Sequence, residues 1–188
     1  YADQCADRFT VDETLAPDSV HVWGDLEWRA LAAPGHDMGA LVFFNPEHRV
    51  LISGDALWEH GFGFVMPRAI DPRALPATRA TLDLIASLDV RTVIPGHGEP
   101  FADAALALER SYARLEAFEA DDERVARHAA KVMFSYSLLH RRRFPEARLP
   151  AYVQEVGFQL YNEMLSADDA LTVYDPAGAL PKNQDSWR

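Results

Sequence analysis

Between residues 19 and 54 the apolar positions fall into four short runs, Val20 to Trp23, Leu26 to Ala32, Ala40 to Phe44 and Val50 to Ser53. Gly24-Asp25 and Asn45-Pro46-Glu47 interrupt them, so the segment is predicted to be a meander of strands. Leu41-Val42-Phe43-Phe44 and Val50-Leu51-Ile52 are almost continuously apolar. That pattern predicts strands covered on both faces, as in the sheet of a layered α/β protein.

The period then changes. Asp71-Pro72 predicts a helix start, the aspartate as cap and the proline in the first turn, and Leu75, Thr78, Leu82 and Ile85 follow at helical spacing. Val90 to Ile94 predicts another strand, ended by Pro95-Gly96. Asp103 is then expected to cap a helix carrying Leu108, Tyr112 and Leu115 as one stripe. Beyond Phe118 helix formers dominate, with Asp121-Asp122-Glu123 as acidic punctuation. One helix is expected to carry Val125, Ala129, Val132, Tyr136 and Leu139, and a second Val153, Val156, Leu160 and Met164, with Pro145 and Pro150 bracketing the link. Leu171 to Tyr174 is the one later strand-like run, and 175–188 reads as loop. The expected division is an α/β unit over 1–119 and a helical appendage with an irregular tail over 120–188.

Composition narrows the function classes. At 188 residues and 48% hydrophobic, the chain has room for one domain plus an appendage. No run approaches the roughly eighteen apolar residues of a membrane-spanning helix, so a membrane is not an expected partner. A net charge of −11 disfavours nucleic acid, whose binders rely on basic contacts to phosphate. Arg141-Arg142-Arg143 reads as a helix end, where cations suit the negative pole. Cys5 has no internal disulfide partner, which predicts a reduced, cytoplasmic setting. Tyr1-Ala2-Asp3-Gln4 has neither an initiator methionine nor a signal-peptide pattern and reads as a cut end, with any targeting sequence upstream of it.

The candidate chemistry lies in three turns of one design: Pro34-Gly35-His36-Asp37-Met38-Gly39, Ser53-Gly54-Asp55-Ala56-Leu57 and Pro95-Gly96-His97-Gly98-Glu99-Pro100. In each, a strand ends, the chain turns tightly, and a ligand-type side chain stands beside small residues that leave space for an ion. Two imidazoles and a carboxylate suit a divalent metal such as zinc. No Gly-X-Ser-X-Gly elbow, phosphate loop or dinucleotide fingerprint is present.

In this order and in these strand contexts, the three turns resemble the later motifs of the metallo-β-lactamase-fold hydrolases. The resemblance covers about residues 20–100 and implies an α/β fold, the C-terminal half of an αββα sandwich followed by the helical appendage. It implies that His36 completes the three-histidine site of a first metal, that Asp55 bridges two metals and is the catalytic residue, and that His97 sits on the second. The family's earliest motif, His-X-His-X-Asp-His, has no counterpart among His21, His36, His48, His60, His97, His128 and His140. The implied cofactors are two zinc ions, with iron or manganese acceptable to the same ligands. The implied activity is hydrolysis of a thioester, ester, lactone or amide by a metal-bound hydroxide. Substrates would be small molecules similar to those of hydroxyacylglutathione hydrolase (glyoxalase II) or a β-lactam, and the charge disfavours a nuclease. Trp58, Phe62 and Phe64 closely follow Asp55 and are expected to contact substrate at the pocket mouth. Asp37 and Glu99 read as surface carboxylates, with orientation of the neighbouring histidines as the sharper alternative. The chain alone is expected to be inactive. The contrasting reading is a non-catalytic interaction module, a homodimer that covers an otherwise exposed apolar sheet face.

Overall fold

The computed structural model describes residues 11–141, together with residues 147 and 151. Four strands form the expected meander: β1 (Val20–Trp23), β2 (Leu26–Ala32), β3 (Leu41–Asn45) and β4 (Val50–Gly54), each antiparallel to the next. Helix α1 (Ala74–Ser87) then crosses over to β5 (Thr92–Pro95), which lies parallel to β4 in a sheet of order β1-β2-β3-β4-β5. Helices α2 (Ala104–Glu119) and α3 (Asp122–Arg141) follow. This topology aligns β2, β4 and β5 in one direction, so their C-terminal ends share one edge of the sheet.

One face of the sheet carries the core. Phe44, Leu51 and Val93 are in register across β3, β4 and β5, and all three are buried. They join Leu75, Leu82 and Ile85 of α1 and Ala107, Leu115 and Phe118 of α2 in a single cluster. The buried residues of α2 run through Ala104, Ala107, Ser111, Leu115 and Phe118, while Leu108 and Tyr112 of the expected stripe pack only at its border. Leu115 is fully buried, so Leu115→Ala leaves a cavity and is expected to cost ~2–5 kcal/mol, read as a lower urea midpoint at unchanged slope.

The expectation that β3 and β4 are covered on both faces needs correction. Their burial alternates, and on the second face Phe43, Ile52 and Ile94 stand side by side without a covering layer among the described residues. Trp23 packs edge-to-face on Phe43 and is still 41% exposed, as Ile94 is 38%. A continuously apolar run means that both faces are suited to cover; the helices supply it to one.

Asp71 is not the cap of α1. The N-cap is Arg73, without a side-chain cap bond, and Asp71 instead accepts from the Arg73 backbone N–H and guanidinium. The helix therefore begins later than expected, at Ala74, after a turn in which Ala74 N–H donates to Asp71 O. Asp103 does cap α2, accepting from Leu106 N–H at 2.9 Å. Asp121 accepts from Arg124 N–H at the start of α3, whose first turn carries Asp122 and Glu123 at the positive pole. Val125 of α3 belongs to the same core cluster as α2. The side chains of Tyr136 and Leu139, the helix expected from Val153, the strand expected from Leu171, the tail and Cys5 lie outside the described residues.

Candidate functional site

The shared edge explains how three turns distant in sequence come together. His36 follows β2, Asp55 follows β4 and His97 follows β5. His36 Nε2 lies 3.4 Å from Asp55 Oδ2, and His97 Nε2 lies 3.7 Å from Asp55 Oδ1. The carboxylate therefore stands between the two rings, with one histidine at each oxygen. The three side chains are 38%, 30% and 59% exposed, open enough to meet a ligand from solvent.

Each side chain is fixed from behind. Thr81 of α1 donates to Pro34 O at 2.7 Å and anchors the turn that carries His36. His36 Nδ1–H donates to Phe64 O at 2.5 Å, which leaves Nε2 directed at Asp55. Trp58 Nε1–H is shared between Gly54 O at 3.2 Å and Asp55 Oδ1 at 3.1 Å. Gly96 N–H donates to Gly54 O at 2.7 Å and locks the turns of Asp55 and His97 together. Close approach demands glycine here: a Cβ on Gly96 would stand 2.9 Å from Asp55 Oδ1, and one on Gly63 would stand 2.8 Å from Asp55 Cβ.

Among the described residues no group of three or more His, Cys, Asp or Glu side chains converges to enclose a single ion. His36 and His97 flank different oxygens of Asp55, so the donors line the carboxylate on both sides without closing on one point. The donor chemistry, imidazole nitrogen and carboxylate oxygen, suits a divalent ion.

The trio opens into a cleft of about 610 Å³. Trp58, Phe62 and Phe64 line it, as expected from their position after Asp55. Trp58 also packs edge-to-face on His97 at 5.1 Å, and Phe62 is a core residue, 1% exposed. Asp37 Oδ1 accepts from Gly39 N–H and so shapes its own turn. Glu99 is exposed. His60 pairs with Arg110 and Glu59, away from the trio, and His48 is exposed.

The helices supply a wall that the sequence reading missed. His128, Lys131, Val132 and Ser135 form one stripe of α3 along the cleft, and Arg114 of α2 stands beside them. Arg114 donates to Phe62 O at 3.1 Å, lies 2.7 Å from His128 Nε2, and stacks over Phe62 and Phe118. Burial pulls its guanidinium below the ordinary arginine value, though not to where it loses its charge. Burial first, and then Arg114, hold His128 below the usual histidine value, so its neutral Nε2 accepts the Arg114 bond. The one sequence signal for this wall was the i, i+3, i+4, i+7 spacing of these four residues, of which Val132 belongs to the expected apolar stripe of α3.

The family model of the metallo-beta-lactamase superfamily matches residues 6–97, which include His36, Asp55 and His97. The matched stretch is similar to that superfamily and takes in just under half of the chain. Curated hydroxyacylglutathione hydrolases of Bartonella henselae and Bartonella tribocorum are similar to it, 40% identical over 53 residues and 38% over 55. Those alignments cover 28% and 29% of this chain and 21% and 22% of the relatives, so the chain spans about a fifth of the length of the curated relatives it matches. A beta-lactamase domain protein from Burkholderia ambifaria superposes with a TM-score of 0.54 at 23% identity, covering 66% of this chain and 38% of that one. It shares with this chain the fold of the mixed sheet and its helices. The superfamily fold generally holds metal ions. No helix among the described residues is long and apolar enough to cross a membrane.

Proposed function

We propose that the chain carries the His36, Asp55 and His97 part of a metal-dependent hydrolase that cleaves a small-molecule thioester, ester, lactone or amide. The observation that carries this reading is the Asp55 carboxylate set between His36 Nε2 and His97 Nε2. Similarity to two hydroxyacylglutathione hydrolases supports a thioester as the first substrate class to test. A divalent ion there, zinc, iron or manganese, would supply a Lewis acid that polarises the scissile carbonyl and acidifies water.

The chain's own residues divide the remaining work. His36 and His97 offer Nε2 as donor atoms, and Phe64 O holds the His36 ring in the tautomer that leaves Nε2 free. Asp55 orients the attacking water and takes its proton on a carboxylate oxygen. Trp58 keeps that carboxylate from rotating through its bond to Oδ1. Trp58 and Phe64, with the edge of Phe62, provide an apolar wall for the acyl part of the substrate.

The test is a panel of thioesters, esters, lactones and β-lactams, run with metal analysis on the whole protein that contains this chain. Metal-dependent turnover of at least one class is expected, and metal-free protein without turnover of any would overturn the reading. The 188-residue chain alone lacks the His-X-His-X-Asp-His ligands, so it is expected to bind zinc weakly and to turn over nothing measurable. Stoichiometric zinc with thioesterase activity from this chain would show that three ligands suffice. A second reading, an interaction module paired with another copy, draws support from the half-open face of Trp23, Phe43, Ile52 and Ile94. A stable dimer in sedimentation, with no hydrolysis by the whole protein, would favour it.

A further inference from the structure

We propose that Arg114 is a positioning residue, a half-buried cation that ties the loop carrying the candidate ligands' hydrogen-bond partners to α2 and α3. The proposal rests on the reading of His36 and Asp55 as metal ligands.

The segment from Trp58 to Phe64 contacts both ligands through its backbone. Gly63 N–H donates to Asp55 O at 2.7 Å, and Phe64 O receives the His36 Nδ1–H bond. The loop thus orients an imidazole and the backbone of a carboxylate residue at once. Its internal support is slight: Trp58 and Gly61 exchange one pair of backbone bonds, at 2.6 and 3.3 Å. Phe62, next to the first of these contacts, is held from the helix side by Arg114, which donates to its carbonyl and covers its ring with the guanidinium 4.8 Å from the centroid.

What makes Arg114 unusual is the company it keeps. Within the described residues, no carboxylate lies within ion-pair distance of it. A desolvated guanidinium normally has a carboxylate partner. Here its donors go to a loop carbonyl and to a neutral histidine of the next helix, and its flat faces go to two aromatic rings. The site is shaped for it, since a Cβ on Gly61 would stand 2.8 Å from Arg114 Nη1. The fork geometry lets one side chain reach the loop and α3 together, which a lysine ammonium cannot do. Through Arg114 the docking of α3 sets the position of Phe62, and thereby of the Gly63 and Phe64 groups that hold Asp55 and His36.

The experiment compares Arg114→Met and Arg114→Lys with the unaltered 188-residue chain. Amide hydrogen exchange reads the loop without any metal. Gly63 is expected to exchange about tenfold faster in Arg114→Met relative to the amides of α1, with Arg114→Lys between the two. Cobalt(II) titration against a competing chelator reads the ligands, and a loss of about tenfold or more in affinity is expected for Arg114→Met. A merely structural role would speed α1 and Gly63 by the same factor and leave the cobalt spectrum of the bound fraction unchanged; that result would overturn the proposal. If Arg114→Met does not fold, Arg114→Lys alone decides by the same two ratios. If the unaltered chain binds cobalt too weakly to titrate, the cobalt comparison is made on the whole protein that contains it, where no uptake would sink the ligand reading, while the Gly63 exchange decides for or against the clamp.

Discussion

Asp55→Asn in the hydrolase proposed for this chain is expected to lower kcat by ~10³-fold or more, with the melting temperature changed by only a few degrees. Asparagine keeps the shape of the side chain, and its carbonyl oxygen still accepts from Trp58 Nε1–H. It loses the charge, and an NH₂ group replaces Oδ2, the oxygen that faces His36. That group neither ligates a cation nor takes a proton from water. The fold should tolerate the exchange because Asp55 is 30% exposed and its backbone bonds, from Gly63 N–H to Asp55 O among them, do not depend on the carboxylate. Steady-state kinetics with thermal unfolding checks it, and an unchanged kcat would remove Asp55 from the reacting groups.

Gly63→Ala is expected to lower metal affinity about 10–100-fold and to cost ~1–3 kcal/mol of stability. The added methyl would stand 2.8 Å from Asp55 Cβ, 3.0 Å from Asp55 O and 3.1 Å from His36 Cγ. None of these atoms is the free end of a flexible chain. The Gly63 to Asp55 backbone bond at 2.7 Å also keeps the loop from backing away. Relief therefore comes from moving both ligand-type side chains. Gly39→Ala is the matched control, because its methyl would meet nothing nearer than 3.5 Å. Chelator competition on the two variants compares them, and equal affinities would refute the steric argument.

The meander was legible because its turns are written in residues with few alternatives. Gly24-Asp25 has φ of +59° and +62°, a left-handed pair that Gly and Asp tolerate and β-branched residues do not. The trio was legible for a related reason: tight turns at strand ends need Gly and Pro, and a histidine or aspartate among them has little structural excuse. Asp71 misled because two residues, Asp71 and Asp103, both precede helices at cap-like spacing, and only the second has no arginine competing for its carboxylate. Arg114 and His128 were invisible as site residues. Their contacts with Phe62 and with each other span two helices, and no local spacing encodes a helix-to-loop distance.

The direction of β5 has a consequence for the order in which the molecule assembles. The strands that place His36 and Asp55 pair through short turns, so these two groups meet early, at small cost in chain entropy. His97 arrives only when the chain has run through α1 and returned parallel to β4, the kind of nonlocal pairing that forms slowly. During synthesis His36 and Asp55 leave the ribosome well before β5 does. Of the three groups His97 is thus the last to reach the shared edge, and the crossover through α1 acts as a timer that leaves the trio incomplete until β5 has joined the sheet.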